Sequence, residues 1–136
     1  MPNYLLHEAC QEGMKDKVKQ LLKKKWDVNG FDDKHWTPLH CAANARQMEI
    51  CKILLLKSAN PSLATSNNAT ALHYLARMRD HPMLLPILKL VLDKGADVNH
   101  PNTHGSTPLH EASLRGSLIC IQFLVNNGAK LDAQNR

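Results

Sequence analysis

Four histidines, His7, His40, His73 and His110, follow one another at intervals of 33, 33 and 37 residues, each directly after a leucine. A period in the low thirties marks one supersecondary unit copied several times, each copy able to bury its apolar face only against a neighbouring copy. The chain therefore reads as one domain of four stacked units, near residues 1–31, 32–64, 65–101 and 102–136. Function is to be sought on a surface that the stacking repeats.

Alignment on the histidines gives each position a meaning. The second unit contains Thr37-Pro38-Leu39-His40, the third Thr70-Ala71-Leu72-His73 and the fourth Thr107-Pro108-Leu109-His110, whereas the first has only Leu5-Leu6-His7. A threonine can cap orphan N–H groups at a helix start, and proline directly after it is pre-set at a helical φ, so each frame predicts a helix N-terminus. Small residues follow, Ala9-Cys10, Ala42-Ala43, Leu75-Ala76 and Ala112-Ser113, and let a short first helix pack closely. A second helix is predicted from the trios Val18, Leu21, Leu22; Cys51, Leu54, Leu55; Leu88, Val91, Leu92; and Ile121, Leu124, Val125. Their i, i+3, i+4 spacing puts each trio on one helical face. Gly95 and Gly128 suit the left-handed residue that ends a helix, and the Asn, Asp and Gly beyond suit tight turns.

These motifs, Thr-Pro-Leu-His and Gly95-Ala96-Asp97-Val98-Asn99 above all, resemble the ankyrin-repeat family over essentially all 136 residues. The resemblance implies an all-α repeat solenoid in an L-shaped stack, its helix-turn-helix pairs joined by β-hairpin loops. First helices would line a concave face, second helices a convex one, and the hairpins would project as fingers. It implies histidines that hydrogen-bond neighbouring backbone, and a protein-binding scaffold without a cofactor or chemistry of its own. The Asp27-Val28-Asn29 and Asp97-Val98-Asn99 hairpins also resemble sites of asparagine hydroxylation in that family.

The departures from regularity carry information. The first unit has Tyr4-Leu5 in place of Thr-Pro and carries Lys15, Lys17, Lys19, Lys23, Lys24 and Lys25, as suits a polar N-terminal cap. Gly13 and Gly116 stand at the end of the first helix in units one and four, but Arg46 and Arg79 replace them in units two and three. Those arginines either accept a left-handed φ or reshape the turn. The third unit gains four residues between its helices, close to one helical turn of 3.6, so a second helix lengthened from Asp80-His81-Pro82 is expected, with a protruding loop near 77–82. The fourth unit ends where another hairpin would open; its outer face, including Ile121, Leu124 and Val125, would then be bare, which reads as part of a longer chain.

Other chemistries find little support. The chain is 43% hydrophobic and 21% charged, with a formal charge of +5, and no apolar run approaches the roughly 18 residues that span a bilayer. Cys10, Cys41, Cys51 and Cys120 form no Cys-x-x-Cys pair and read as buried free thiols, which favours a reducing, intracellular setting, cytoplasmic with a nuclear one as the alternative. Histidines on successive layers roughly 8–10 Å apart cannot share one metal ion, whose ligands approach to about 2 Å. His100 and His104 share a hairpin, but two ligands make a weak site. No glycine-rich phosphate loop and no nucleophile paired with a histidine is present, so no enzyme and no small-molecule substrate are expected. The lysines from Lys15 to Lys25 raise an anionic lipid or nucleic-acid surface, against which Glu8, Glu12, Asp27, Asp32 and Asp33 nearly cancel their charge and interleaved aromatic residues are missing.

A protein or peptide partner remains, and two features point to its contacts. Trp36 stands at a finger position where packing does not call for an aromatic ring, beside Asp33 and Lys34, with His104 and Ser106 at comparable positions of the last finger; its alternative role is to pack on Tyr4 or a neighbouring finger. Tryptophan often dominates interface energy. Arg46, Arg77, Arg79 and Arg115 fall four to six residues after their histidines on three successive layers, with Met78 and Leu114 beside them. Such a ladder suits an acidic or phosphorylated segment gripped by guanidinium forks. A targeting or autoinhibitory module within a larger signalling enzyme is the alternative role.

Overall fold

The computed structural model describes residues 4–115 and 117–130. Among them stand eight helices and no strand: α1 Leu5–Glu12, α2 Lys15–Lys23, α3 Pro38–Asn44, α4 Met48–Leu56, α5 Ala71–Ala76, α6 Leu84–Asp93, α7 Pro108–Arg115 and α8 Leu118–Asn126. The odd-numbered helices pack on one another in sequence, α1 on α3 on α5 on α7, and the even-numbered ones do likewise. Within each repeat the two helices pack on each other, so the core lies between two helical layers. Its fully buried side chains include Leu39, Leu54, Leu55, Leu72, Leu75, Leu88 and Leu124.

The threonine-histidine frame explains why the layers stay in register. The N–H of Thr37, Thr70 and Thr107 donates to Nδ1 of His40, His73 and His110 at 3.0, 3.1 and 2.9 Å. The opposite ring nitrogen must then carry the proton. Nε2 of His7 donates to Gly30 O at 2.8 Å, that of His40 to Leu63 O at 3.0 Å and that of His73 to Ser106 O at 3.0 Å. His7, His40 and His73 thus each link a helix start to the loop that leads into, or opens, the following repeat.

The second helices end alike. A left-handed residue follows each, Lys25 (φ 62°), Ser58 (φ 74°), Gly95 (φ 95°) and Gly128 (φ 94°). The N–H after it then reaches back five residues: Trp26 to Leu21, Ala59 to Leu54, Ala96 to Val91 and Ala129 to Leu124. That pattern satisfies the last carbonyls. The fingers are tight turns rather than strand ladders. Asp32 N–H donates to Trp36 O, Thr65 N–H to Ala69 O and Asn102 N–H to Ser106 O, each at 2.9 Å. Asn29 Oδ1 accepts from Asn60 N–H and Asn99 Oδ1 from Lys130 N–H, so both asparagines of the Asp-Val-Asn hairpins tie one repeat to the next.

Two expectations need correction. The third repeat's added residues lie in its loop: α6 starts at Leu84 rather than Asp80, and segment 77–83 separates α5 from α6 where segment 45–47 separates α3 from α4. The N–H of Met83 donates to His81 Nδ1 at 3.0 Å, which turns the chain at Pro82 before the helix can begin. In the last repeat Leu124 is fully buried and Ile121 half-buried; among the described residues there, the large exposed apolar side chains are Leu114, Leu118 and Val125. Of the two replaced glycines, Arg46 accepts the left-handed φ of 62° and Arg79 does not. Gly116 lies outside the described residues.

Candidate partner-binding surface

The inner helices α1, α3, α5 and α7 and the first finger present two adjoining clefts. The larger, about 700 Å³, runs between α1, α3 and the finger at 32–36, with Glu8, Glu12, Asp32, Asp33, Lys34 and Trp36 in its walls. Glu8 and Glu12 are one helical turn apart on the same face of α1. Asp32 is already engaged, its Oδ1 accepting from Lys34 N–H and Trp36 N–H at 2.9 Å, which sets the finger's shape. The smaller cleft, about 160 Å³, lies among Asn44, Arg46, Tyr74, Arg77, Met78 and Arg115. Asn44 lines both.

Of the ladder, the fold thus gathers Arg46, Arg77 and Arg115 around one cleft, and Arg79 is exposed apart from them. Arg77 is pre-positioned. Its Nε and Nη2 donate to Oε2 and Oε1 of the nearly buried Glu111 at 2.9 and 3.3 Å, and its guanidinium lies 5.1 Å from the Tyr74 ring centroid. The carboxylate bond, more than any other influence, holds the Arg77 pKa above its ordinary value. Arg46 and Arg115 form no ion pair with described residues.

Trp36 is half-buried rather than a free fingertip. Its ring packs on Tyr74 of the next layer, centroids 4.9 Å apart, and meets His40 edge-on at 6.1 Å. Tyr74 thus supplies an aromatic neighbour at this finger position. Asp33, Lys34 and His104 are exposed, as is Leu114 at 78%. Met78 and Ser106 are buried: Met78 is at 3% exposure although it borders the smaller cleft, and the Ser106 carbonyl accepts from His73.

Residue patterns alone did not single out Glu8, Glu12, Asn44 or Tyr74, nor the Phe31–His35 pair, whose rings stack at 4.0 Å on the first finger. The i, i+4 spacing of Glu8 and Glu12 was the available signal. The surface lacks an activated nucleophile among its cysteines. Burial pushes the Cys41 thiol up to about 12, and burial followed by the neighbouring Cys41 and Cys51 raises Cys10. Among the described residues no three His, Cys, Asp or Glu side chains gather to hold a metal ion, and no helix is long and apolar enough to cross a membrane.

Helix pairs stacked at a period of 33 to 37 residues, locked by a threonine-histidine frame and joined by tight-turn fingers, define a helical repeat solenoid. Comparison with known sequences makes this specific. The chain belongs to the ankyrin-repeat family, whose model, described as ankyrin repeats (3 copies), matches residues 2–65 and 49–135. It is 34% identical over 109 residues to the nuclear factor NF-kappa-B p105 subunit of Rattus norvegicus, covering 80% of this chain and 11% of that protein. It is 38% identical over 88 residues to ankyrin repeat domain-containing protein 53 of Mus musculus, covering 64% and 18%. With the human transient receptor potential cation channel subfamily A member 1 it shares 29% identity over 139 residues, covering 100% and 12%. The chain therefore spans less than a fifth of each of these relatives. Repeats of this family mediate protein–protein interaction.

Proposed function

We propose that this domain is a non-enzymatic interaction module that binds a segment of another protein across its concave face, between the inner helices and the first finger. The observation that carries this reading is the cleft that Arg46, Arg77 and Arg115 share on three successive layers. Two of these guanidiniums have no carboxylate partner among the described residues, and the core requires neither. Guanidinium forks bind carboxylates and phosphorylated side chains in two-point contact, so an acidic or phosphorylated segment fits. Trp36 forms the apolar wall beside them. A surface already held by its own packing loses little ordering entropy on binding.

Calorimetric titration of a purified binding partner tests the reading. Trp36→Ala should weaken binding by about 2 kcal/mol or more, the usual cost of losing an interface anchor, and Arg46→Ala with Arg115→Ala should weaken it and flatten its salt dependence. Unchanged affinity in both variants, with the thermal midpoint preserved, removes the proposed surface.

A second reading, a targeting or autoinhibitory module within a larger protein, draws support from the relatives, one of which is a probable serine/threonine-protein kinase of Dictyostelium discoideum matched over 15% of its length. An immunoblot of the native protein tests it. A product no larger than this chain excludes the reading.

A further inference from the structure

The two clefts that meet at Asn44 carry opposite charge. In the larger, four carboxylates, Glu8, Glu12, Asp32 and Asp33, face one lysine, Lys34, although the whole chain is +5. Glu8, Glu12 and Asp33 are exposed and form no ion pair with described residues, and like charges one helical turn apart on a helix repel. The charged side chains lining the smaller cleft are arginines alone, of which Arg46 and Arg115 form no ion pair with described residues. An all-acidic ligand would answer one cleft and be repelled by the other.

We propose that the concave face takes an extended, bipolar segment of a partner protein. Its basic side chains lie in the cleft of Glu8, Glu12 and Asp33, and its acidic or phosphorylated side chains lie over Arg46, Arg77 and Arg115. This rests on the interaction-module reading and gives a ligand to the half of the face which that reading leaves unassigned. The clefts are one to two layers apart, roughly 10–20 Å at the usual helix spacing. An extended chain advances about 3.3 Å per residue, so roughly three to six residues separate the two charge clusters of the segment. Charge order along the groove then fixes the direction in which the segment lies, and a ligand of reversed order meets repulsion at both ends.

Selection of a random twelve-residue peptide library on the wild-type chain, followed by anisotropy titration of the recovered peptides, is the test. Recovered binders should carry a Lys/Arg cluster and an Asp/Glu cluster at that separation. Their affinity should fall at least fivefold in Glu8→Lys with Glu12→Lys, and fall comparably in Arg46→Glu with Arg115→Glu. These exposed positions leave the fold intact, which the thermal midpoint verifies. Binders lost with the arginine pair but indifferent to the glutamate pair, or the reverse, overturn the bipolar segment while leaving the interaction module standing. Binders indifferent to both pairs, or none at all, overturn both.

Discussion

The second and third repeats share the same frame but spend their polar contacts differently. In the second, segment 45–47 turns tightly through a left-handed Arg46, and the arginine is left free at the surface. In the third, segment 77–83 is longer, and its polar side chains reach into the fourth repeat: Arg77 to Glu111, and Asp80 Oδ1 to Ser117 Oγ and Ile119 N–H, both at 3.3 Å. The helix after each loop starts late or early as needed, yet Leu39 and Leu72, equivalent residues, are both buried. Four added residues therefore change what the edge of a layer touches without changing what its centre packs.

The strongest way to break that comparison is to cut the centre. Leu39→Ala and Leu72→Ala should each cost about 2–5 kcal/mol, the range for a buried leucine truncated in a close-packed site. Urea unfolding followed by circular dichroism should find the two within about 1 kcal/mol of each other. A markedly cheaper Leu72→Ala would show that the longer loop has loosened the third layer.

Acid should separate the two layers next. Burial is the chief cause that pushes His40 down to about 4, and it lowers His73 too, against the backbone carbonyls that favour the charged ring. An unfolded histidine titrates near 6.5, so between about 4 and 6.5 the unfolded chain holds more protons than the folded one. Stability should therefore be complete above about pH 6.5 and decline as pH falls toward 4, with His40 contributing on the order of 3 kcal/mol across that window. The structural reason is that Nδ1 accepts from a backbone N–H and Nε2 already carries the proton, so a second proton displaces the Thr37 bond. Melting His40→Gln and His73→Gln between pH 7.5 and 4.5 should flatten the acid decline in both variants, more in the first. An acid limb that neither substitution alters would refute the assignment.

Why some of this was legible from residues and some was not follows from distance along the chain. Helix starts, the apolar trios and the left-handed ends are local chemistry, so Thr37-Pro38, Leu54-Leu55 and Gly95 announce them directly. The position of the added residues was countable, but their destination was not, because Asp80 finds its partners 37 and 39 residues later. Trp36 is visible as an unusual residue, while the ring it packs on, Tyr74, stands 38 residues later in the chain, between His73 and Leu75, and nothing local marks it as facing Trp36. Met78 was grouped with exposed arginines by its neighbours, yet a loop that turns back toward the core buries one flank. The acidic cleft is hidden in the sequence because Glu8 and Glu12 precede the lysines of α2 closely enough to offset them in any local net charge. Net charge averages over faces that point in opposite directions.

The edge contact peculiar to the third repeat should be worth less than either centre or histidine. Ser117 caps the start of α8, so the Asp80 carboxylate sits at a helix N-terminus and accepts from Ile119, the second residue of that helix, where negative charge is favoured. Asp80→Ala should lower stability by about 1 kcal/mol, as loss of a partly exposed charged acceptor does. Asp80→Asn should recover part of it by keeping the acceptor without the charge. A loss of nothing in either variant, measured by chemical denaturation at low salt, would mean that the loop of the third repeat docks on the fourth without energetic consequence.

The smallest effect tests the opposite edges against each other. Arg46 holds a φ of 62°, where a side chain costs roughly 1 kcal/mol relative to glycine, whereas Arg79 lies outside the left-handed region. Glycine also enlarges the freedom of the unfolded chain, which costs about 0.5–1 kcal/mol wherever it is placed. At position 46 the two nearly cancel, so Arg46→Gly should be neutral or slightly stabilising. At position 79 only the second acts, so Arg79→Gly should be destabilising by about 0.5–1 kcal/mol. The difference in denaturation midpoint between these variants reads the backbone of the two loops directly, because neither arginine forms an ion pair with described residues that the substitution would remove. Equal shifts at both positions would place the two loops in the same conformation and dissolve the contrast between a tight turn and a docked one.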